Sequence, residues 1–284
     1  MAGPAPELLP RSAPGPLVVT SDLDGSSAPV RDLLAGKRLL ITGIATEGSI
    51  AHATAVRAVE QGATVVATAM PRDLEGARAA LGGLGTEVPV VPMDATDPAD
   101  VEAVRHQLEA EVGALDGALH AIAFSPRPAL GAFLDVPSEP VELAFRTSVH
   151  SYAVLGELLA ALAPASGASL VGLHFDAARA WPTYNWMGVC KAALESANRY
   201  LARDLGPRRI RANLIAAGPL QTRAASAIPG FDLLLDSWAG RAPLAWDPGD
   251  VTPVADTACF LLSDLARAIT GSVVQVDAGH HAMA

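Results

Sequence analysis

The sequence predicts a single α/β domain, a doubly wound parallel sheet with helices on both faces. Two observations carry this expectation. From Gly36 onward, short apolar runs alternate with helix-length segments, the order that builds strand–helix–strand units. The runs are rich in Val, Leu, Ile and Ala, as strands buried on both faces require. The chain has 284 residues, half of them hydrophobic and only 18% charged, which is enough for one large core.

The elements follow in order. "KRLLIT" (37–42) is the first strand, and "SIAHATAVRAVEQG" (49–62) is a helix closed by Gly62. "ATVVATA" (63–69) is the second strand, and a short helix covers 73–83. "VPVVPMD" (88–94) is the third strand. It leads to a helix over 97–113, with Asp97 as cap and Pro98 in the first turn. "LDGALHAIAF" (115–124) reads as the fourth strand, 138–163 as one long helix, and "ASLVGLHF" (168–175) as the fifth strand. A helix over 184–205, a strand over 210–218 and a last strand over 273–279 complete the alternation. Residues 219–248 read as one long irregular insertion. Residues 1–35 are rich in Pro, Ala, Gly and Ser and read as an appendage outside the core, flexible or lying on its surface.

The totals exclude several functions. A net charge of −10 argues against nucleic acid or an anionic membrane surface as the main partner. Two cysteines, Cys190 and Cys259, supply neither a disulfide framework nor a metal-ligand spacing, so no metal is expected. No apolar run approaches the roughly 18 residues of a membrane span, and no signal peptide is evident. A cytoplasmic protein is expected.

"ITGIATEGSIAHA" (41–53) links the first strand to the first helix. In sheets of this kind a pyrophosphate sits where glycines let the backbone approach, against the positive end of that helix. Gly43, Ile44, Gly48, Ser49 and Ile50 are the candidates, although an ordinary strand–helix turn has the same look. After the second strand, residues 68–71 offer no acid for ribose hydroxyls. Arg72 could meet a 2′-phosphate or be solvated, so NADH and NADPH both remain open. Asp94 closes the third strand, where its carboxylate could face adenine or simply solvent.

One lysine stands out. Of 20 Lys and Arg residues only Lys37 and Lys191 are lysines, and Lys191 follows Tyr184 by seven residues. On a helix the two lie on nearly one face, about 10 Å apart along the axis, a spacing that suits two groups holding neighbouring parts of one ligand. The alternative is a surface lysine and a core tyrosine.

Here the residues carry a resemblance. "GKRLLITGIATEGSIA", "LDGALHAIAFSP", "FDAARAWPTYNWMGVCKAALESANRYLARDLG", "IRANLIAAGPLQT" and "WAGRAPLAW" resemble the enoyl-acyl-carrier-protein reductases of the short-chain dehydrogenase/reductase superfamily. The nearest branch is the one that serves mycolic-acid synthesis. Ordinary reductases of that superfamily use Tyr-x3-Lys and a serine at the end of the fifth strand. Here Gly188 occupies the x3 position and Phe175 stands in place of the serine. The resemblance implies a Rossmann-type fold and hydride transfer from NADH, with NADPH not excluded, to the β-carbon of a trans-2-enoyl thioester in fatty-acid synthesis. The thioester would be carried on acyl carrier protein or coenzyme A.

By the same resemblance, Tyr184 stabilises the enolate oxygen, Lys191 holds the nicotinamide ribose, and Phe175 lies beside nicotinamide and thioester. Gly43, Ile44, Ser49, Ile50, Met70, Asp94, Ala95, Ala121, Ile122, Ala123, Gly218, Pro219, Leu220 and Thr222 would contact the cofactor. Phe175, Tyr184, Met187, Ala224, Ile228 and Leu234 would contact substrate. A homotetramer is implied as well. Three features depart from the pattern. Ala121 replaces a serine, Met70 replaces a residue that is often aromatic, and the segment between Thr222 and Trp238 is shorter than in the long-chain branch, which points to medium acyl chains. Two rivals stay open: a reductase of a specialised, polyketide-type intermediate, and a catalytically idle dinucleotide-binding protein.

Overall fold

The computed structural model describes residues 32–283. Residues 1–31 of the expected N-terminal appendage lie outside the described residues. In its last four residues Asp32 and Ala35 are exposed, and one side chain reaches the core. Leu34 is fully buried in the core, and its N–H donates to the Gln61 carbonyl at 3.0 Å. An isolated leucine beside the first strand gains more from burial than it loses in chain freedom.

The chain alternates as its apolar runs require. In order come β1 (Arg38–Thr42), α1 (Ile50–Glu60), β2 (Thr64–Ala69), α2 (Leu74–Leu81), β3 (Val90–Pro92), α3 (Pro98–Glu111) and β4 (Gly117–His120). Next are α4 (Arg127–Gly131), α5 (Ser138–Phe145), α6 (Ser151–Leu162), β5 (Ala168–His174), α7 (Asn185–Leu205) and β6 (Ile210–Ala217). Last are α8 (Asp232–Arg241), α9 (Thr252–Leu262) and β7 (Val273–Val276). The strands form one seven-stranded sheet in the order β3-β2-β1-β4-β5-β6-β7, and every pair is parallel. The chain reverses its direction of growth between β1 and β4. A crevice opens there, beyond the carboxyl ends of the strands, where open sheets of this kind take their ligands.

Both faces of the sheet are covered. Leu39 and Ile41 of β1 join the cluster formed with α1 and α9, while Leu40 joins the opposite one with α3 and α6. This is the period-two alternation of a strand with no solvent face. Among the described residues, no helix is long and apolar enough to cross a membrane.

Four expectations are corrected. The fourth strand stops at His120 instead of 124, because its hydrogen bonds are diverted to side chains. The Ala121 N–H donates to Thr42 Oγ1 at 3.3 Å, and Phe124 exchanges two 3.0 Å bonds with the Ser148 hydroxyl. The long helix over 138–163 is interrupted by a π-type turn at Arg146–His150, which aims Ser148 at Phe124 and Ser151 at His120. The insertion over 219–248 is not irregular throughout, since it contains α8. Finally, α9 forms where no element was expected, and it packs chiefly on α1.

A buried polar knot fixes α7 on the sheet. The Tyr152 hydroxyl of α6 donates to Asn198 Oδ1 of α7 at 2.8 Å and lies 3.3 Å from the Asn213 carbonyl of β6. Asn213 in turn binds the loop before β7, donating to the Ile269 carbonyl and accepting from the Ser272 N–H. Each member is satisfied, so the knot specifies one register for α7.

Candidate active site

Four strand ends, those of β1, β4, β5 and β6, and two helices, α1 and α7, build the site. At the end of β1, Gly43 has a φ of +79°, and a Cβ there would lie against the Ala121 carbonyl oxygen, closer than any side chain can approach. Only glycine fits, and the backbone of the first turn is thereby held against the end of β4. Gly48 also has positive φ, and Ser49 caps α1 by accepting from the His52 N–H at 3.1 Å. The helix start faces the crevice with its next amides free of side-chain caps. On the other flank, Gly218, Pro219 and Leu220 are buried after β6. Gly218 accommodates the indoles of Trp238 and Trp246, since a Cβ would sit 2.7 Å from the first and 2.8 Å from the second.

Tyr184 caps α7 and Lys191 lies two turns further along. Both are buried, at 7% and 6% exposure. Lys191 reaches back to β5 and donates to the Leu173 carbonyl at 3.0 Å. An ammonium carries three donors, so this single protein acceptor leaves it unsaturated. Burial draws its pKa down to about 8. Its neighbours respond to the same field. His120 at the end of β4 and His174 at the end of β5 are each depressed to about 3, by burial first and by the Lys191 charge second. Both rings are therefore neutral at physiological pH. His120 Nε2 lies 2.7 Å from Ser151 Oγ, whose proton goes to the Thr147 carbonyl, so the imidazole is the donor. His174 Nε2 lies 2.9 Å from Glu195 Oε1. The Nδ1 atoms of both rings are buried without a partner.

Burial raises the Tyr184 phenol well above its ordinary range, with Cys190 contributing in the same direction, so the hydroxyl keeps its proton. The backbone around it is strained. Thr183 has a φ of +63° and Asn185 one of +42°, the first a β-branched residue in the left-handed region. Asn185 Nδ2 donates to the Leu130 carbonyl at 2.6 Å and Trp186 Nε1 to the Phe133 carbonyl at 3.0 Å, which ties this strained turn to α4. The ring of Phe175 packs on Tyr184 with centroids 5.1 Å apart.

Most of the residues named from sequence converge here. Phe175, Tyr184, Met187 and Leu234 share one buried cluster, with Ile228 packed against it. Ala224 is exposed and stands outside that cluster. Ile44 and Ala95 are buried and Ala123 is exposed, while Ile122 and Met70 are partly covered. Asp94 turns its Oδ1 onto Thr96, accepting from both its N–H and its hydroxyl. Thr222 Oγ1 accepts from the Ala225 N–H at 3.2 Å. Sequence reading passed over His120, His174 and Trp181. A polar residue ending an otherwise apolar strand was the available signal for the two histidines; nothing in the pattern marked Trp181.

A parallel sheet with a glycine turn at its switch point and a buried Tyr–Lys pair on one helix defines a nucleotide-dependent oxidoreductase of the short-chain dehydrogenase/reductase kind. The comparisons narrow this. Residues 43–281 match the family model described as enoyl-(acyl carrier protein) reductase. The chain is 41% identical to the NADH enoyl-[acyl-carrier-protein] reductase of Mycolicibacterium smegmatis, covering 87% of this chain and 97% of that one. It is 40% identical to the enzyme of the same name from Mycobacterium avium, with the same coverage. A third relative, from Aquifex aeolicus, is 41% identical over 88% of this chain and 93% of its own. The chain belongs to the enoyl-acyl-carrier-protein reductase family.

The buried ammonium generates a stability prediction. In the unfolded chain Lys191 titrates near 10.5, and in the fold at about 8. Below pH 8 both states are protonated and the fold carries the full cost of burying the charge. Between these values the unfolded state binds more protons, so stability rises with pH until the cost has gone. Lys191→Met should therefore exceed the wild type by about 3 kcal/mol at pH 7. That advantage should shrink as pH rises from 8 toward 10.5, as read by urea unfolding. A difference that does not change with pH would show that the amine is not buried as a cation.

Proposed function

We propose that the chain is an NADH-dependent enoyl-acyl-carrier-protein reductase, reducing the double bond of a trans-2-enoyl thioester in fatty-acid synthesis. The observation that carries this is the set of Tyr184 and Lys191, two turns apart on one buried helix face, with Phe175 at ring contact where a carbonyl reductase would need a hydroxyl. The residues also suit the cofactor. The Gly43 turn brings backbone against Ala121, the start of α1 faces the crevice, and Lys191 has donors to spare.

When bound, NADH supplies the hydride that reaches the β-carbon. Charge then gathers on the thioester oxygen as an enolate. The Tyr184 hydroxyl, protonated because its ring is buried, donates to that oxygen and stabilises the transition state more than the ground state. The α-carbon then takes up a proton from solvent, which balances the hydride delivered to the β-carbon. Lys191 donates to the ribose hydroxyls as a compact cation, a place in which a forked guanidinium would be too large. Phe175 and Met187 pack beside the Tyr184 phenol and give the β-carbon an apolar side. Gly43, Ile44, Ser49 and Ile50 receive the pyrophosphate, with Thr222 opposite, and Ala121 contributes only backbone there. Ile228 and Leu234 meet the acyl group. We place the reaction in the cytoplasm, where two buried free thiols, Cys190 and Cys259, stay reduced.

The test of the reaction class is NADH oxidation by the purified chain against enoyl thioesters and simple ketones. Enoyl turnover should exceed ketone turnover by about a hundredfold or more. Comparable rates on both would sink the assignment.

The two polar residues should separate kinetically. Tyr184→Phe should lower kcat by about a hundredfold with little change in NADH affinity, because its bond is strongest in the transition state. Lys191→Ala should raise the NADH Kd by about tenfold or more, with poor rescue in Lys191→Arg. Equal loss of NADH affinity in Tyr184→Phe and Lys191→Ala would contradict these roles.

We also infer a homotetramer. Val189 and Tyr200 of α7 and Phe145 of α5 are exposed apolar groups on neighbouring helices, a face suited to a second copy. Light scattering at micromolar concentration should give four chains, and a clean monomer would overturn the assembly.

A further inference from the structure

Phe175, at ring contact with Tyr184, leads into a cluster of three further rings packed against the same apolar residues. Trp181 lies 5.5 Å from Phe175 and 5.2 Å from Trp238, centroid to centroid. His280 lies flat on Trp238, with centroids 3.7 Å apart and planes 7° from parallel. These three rings come from distant segments: the loop before α7, helix α8 and the C-terminal turn.

Each ring is pinned by its polar end. Trp181 Nε1 donates to the Asp176 carbonyl at 2.8 Å, and Trp238 Nε1 donates to the Asp277 carbonyl at 3.1 Å. His280 Nε2 lies 3.0 Å from Ser237 Oγ. A leucine or methionine in such a wall could swing aside for extra methylenes. An indole held by a hydrogen bond at one edge and by tilted and edge-on ring contacts around it cannot do so without giving up both. Trp238 is held further by Gly218 close against its indole, and it is almost fully buried. Trp181 is only partly buried and is fastened within its own loop. It is the one ring of the stack that can be removed without undermining α8.

We propose that Trp181, backed by Trp238 and His280, sets the acyl-length limit of this enzyme. The protein takes short and medium enoyl groups, and the indole of Trp181 is what stops longer ones. This rests on the enoyl reductase reading and adds to it the residue that determines specificity. The shortness of the segment between Thr222 and Trp238 points the same way, but it names no side chain.

The experiment uses the full chain with NADH and the coenzyme A thioesters of butenoic, octenoic and dodecenoic acids, below their micelle concentrations. In the wild type, kcat/KM should rise from butenoyl to octenoyl and fall by dodecenoyl. Trp181→Ala should raise the dodecenoyl-to-octenoyl ratio by about tenfold or more. Trp181→Leu, which keeps more apolar volume should the alanine variant fail to fold, should raise it by less. Calorimetric binding of saturated octanoyl- and dodecanoyl-coenzyme A to the NADH-loaded protein reads the same wall without turnover. An unchanged length ratio in a folded variant, by rate and by binding, overturns the role of Trp181 and leaves the reductase reading standing. Absence of enoyl turnover in the wild type defeats the reductase reading, and the binding ratio then decides the wall alone, a shift upholding it and no shift sinking it.

Discussion

One stripe of α7 governs the site. Tyr184, Lys191 and Asn198 are spaced seven apart, so they return to nearly the same helix face every two turns. Asn198 is locked by the Tyr152 hydroxyl, and Lys191 is locked by the Leu173 carbonyl at the end of β5. These two bonds leave α7 no freedom to rotate or slide. The position of the Tyr184 phenol over the crevice follows from them. Gly156 of α6 allows this close docking, since a Cβ there would stand 3.1 Å from Leu201 and crowd the helix pair apart.

Holding an ammonium in that place has electrostatic consequences for everything around it. Lys191 faces His120 from β4, His174 from β5 and Cys190 from its own helix. None of these is an anion, so no ion pair offsets the burial of the charge, and its pKa falls. A surface lysine would be cheaper. What the buried position provides is a cation with unsaturated donors, held in one orientation by the Leu173 carbonyl. The two histidines keep the field clean by remaining neutral, and the π-type turn in the α5–α6 rod is what brings Ser151 to one of them.

Strain gathers at the same corner. Thr183 and Asn185 both take positive φ on either side of Tyr184, and Thr183 also presses its methyl group toward Gly230 in the segment that precedes α8. The hydrogen bonds of Asn185 and Trp186 to the α4 region, and the ring packing of Phe175, over-determine the turn and hold it against relaxation. The ring cluster and the phenol are therefore mechanically joined: the loop carrying Trp181 runs directly into the strained turn that carries Tyr184.

The alternation of apolar runs was enough to read seven strands and their parallel sense, because a strand buried on both faces leaves few other patterns. The spacing of Tyr184 and Lys191 was legible for a related reason: seven residues on a helix is a geometric statement in itself. Phe175, Met187 and Leu234 pack in one cluster with Tyr184, and Ile228 lies against it. Other features had no local signature. The end of β4 depends on Thr42 and Ser148 capturing backbone groups from elsewhere in the chain, so no window around residues 115–124 contains the information. Ala224 looked equivalent to its neighbours yet faces out, because a one-residue rotation in a turn is decided by what packs behind it. The Trp181–Trp238–His280 stack joins residues a hundred positions apart. Sequence by itself determined the sheet and the helix that bears Tyr184 and Lys191, since periodicity is local physics. Only the tertiary structure decided the depth of the lysine, the neutrality of its histidine neighbours and the meeting of Trp181, Trp238 and His280, since burial and contact are properties of what the rest of the chain brings alongside.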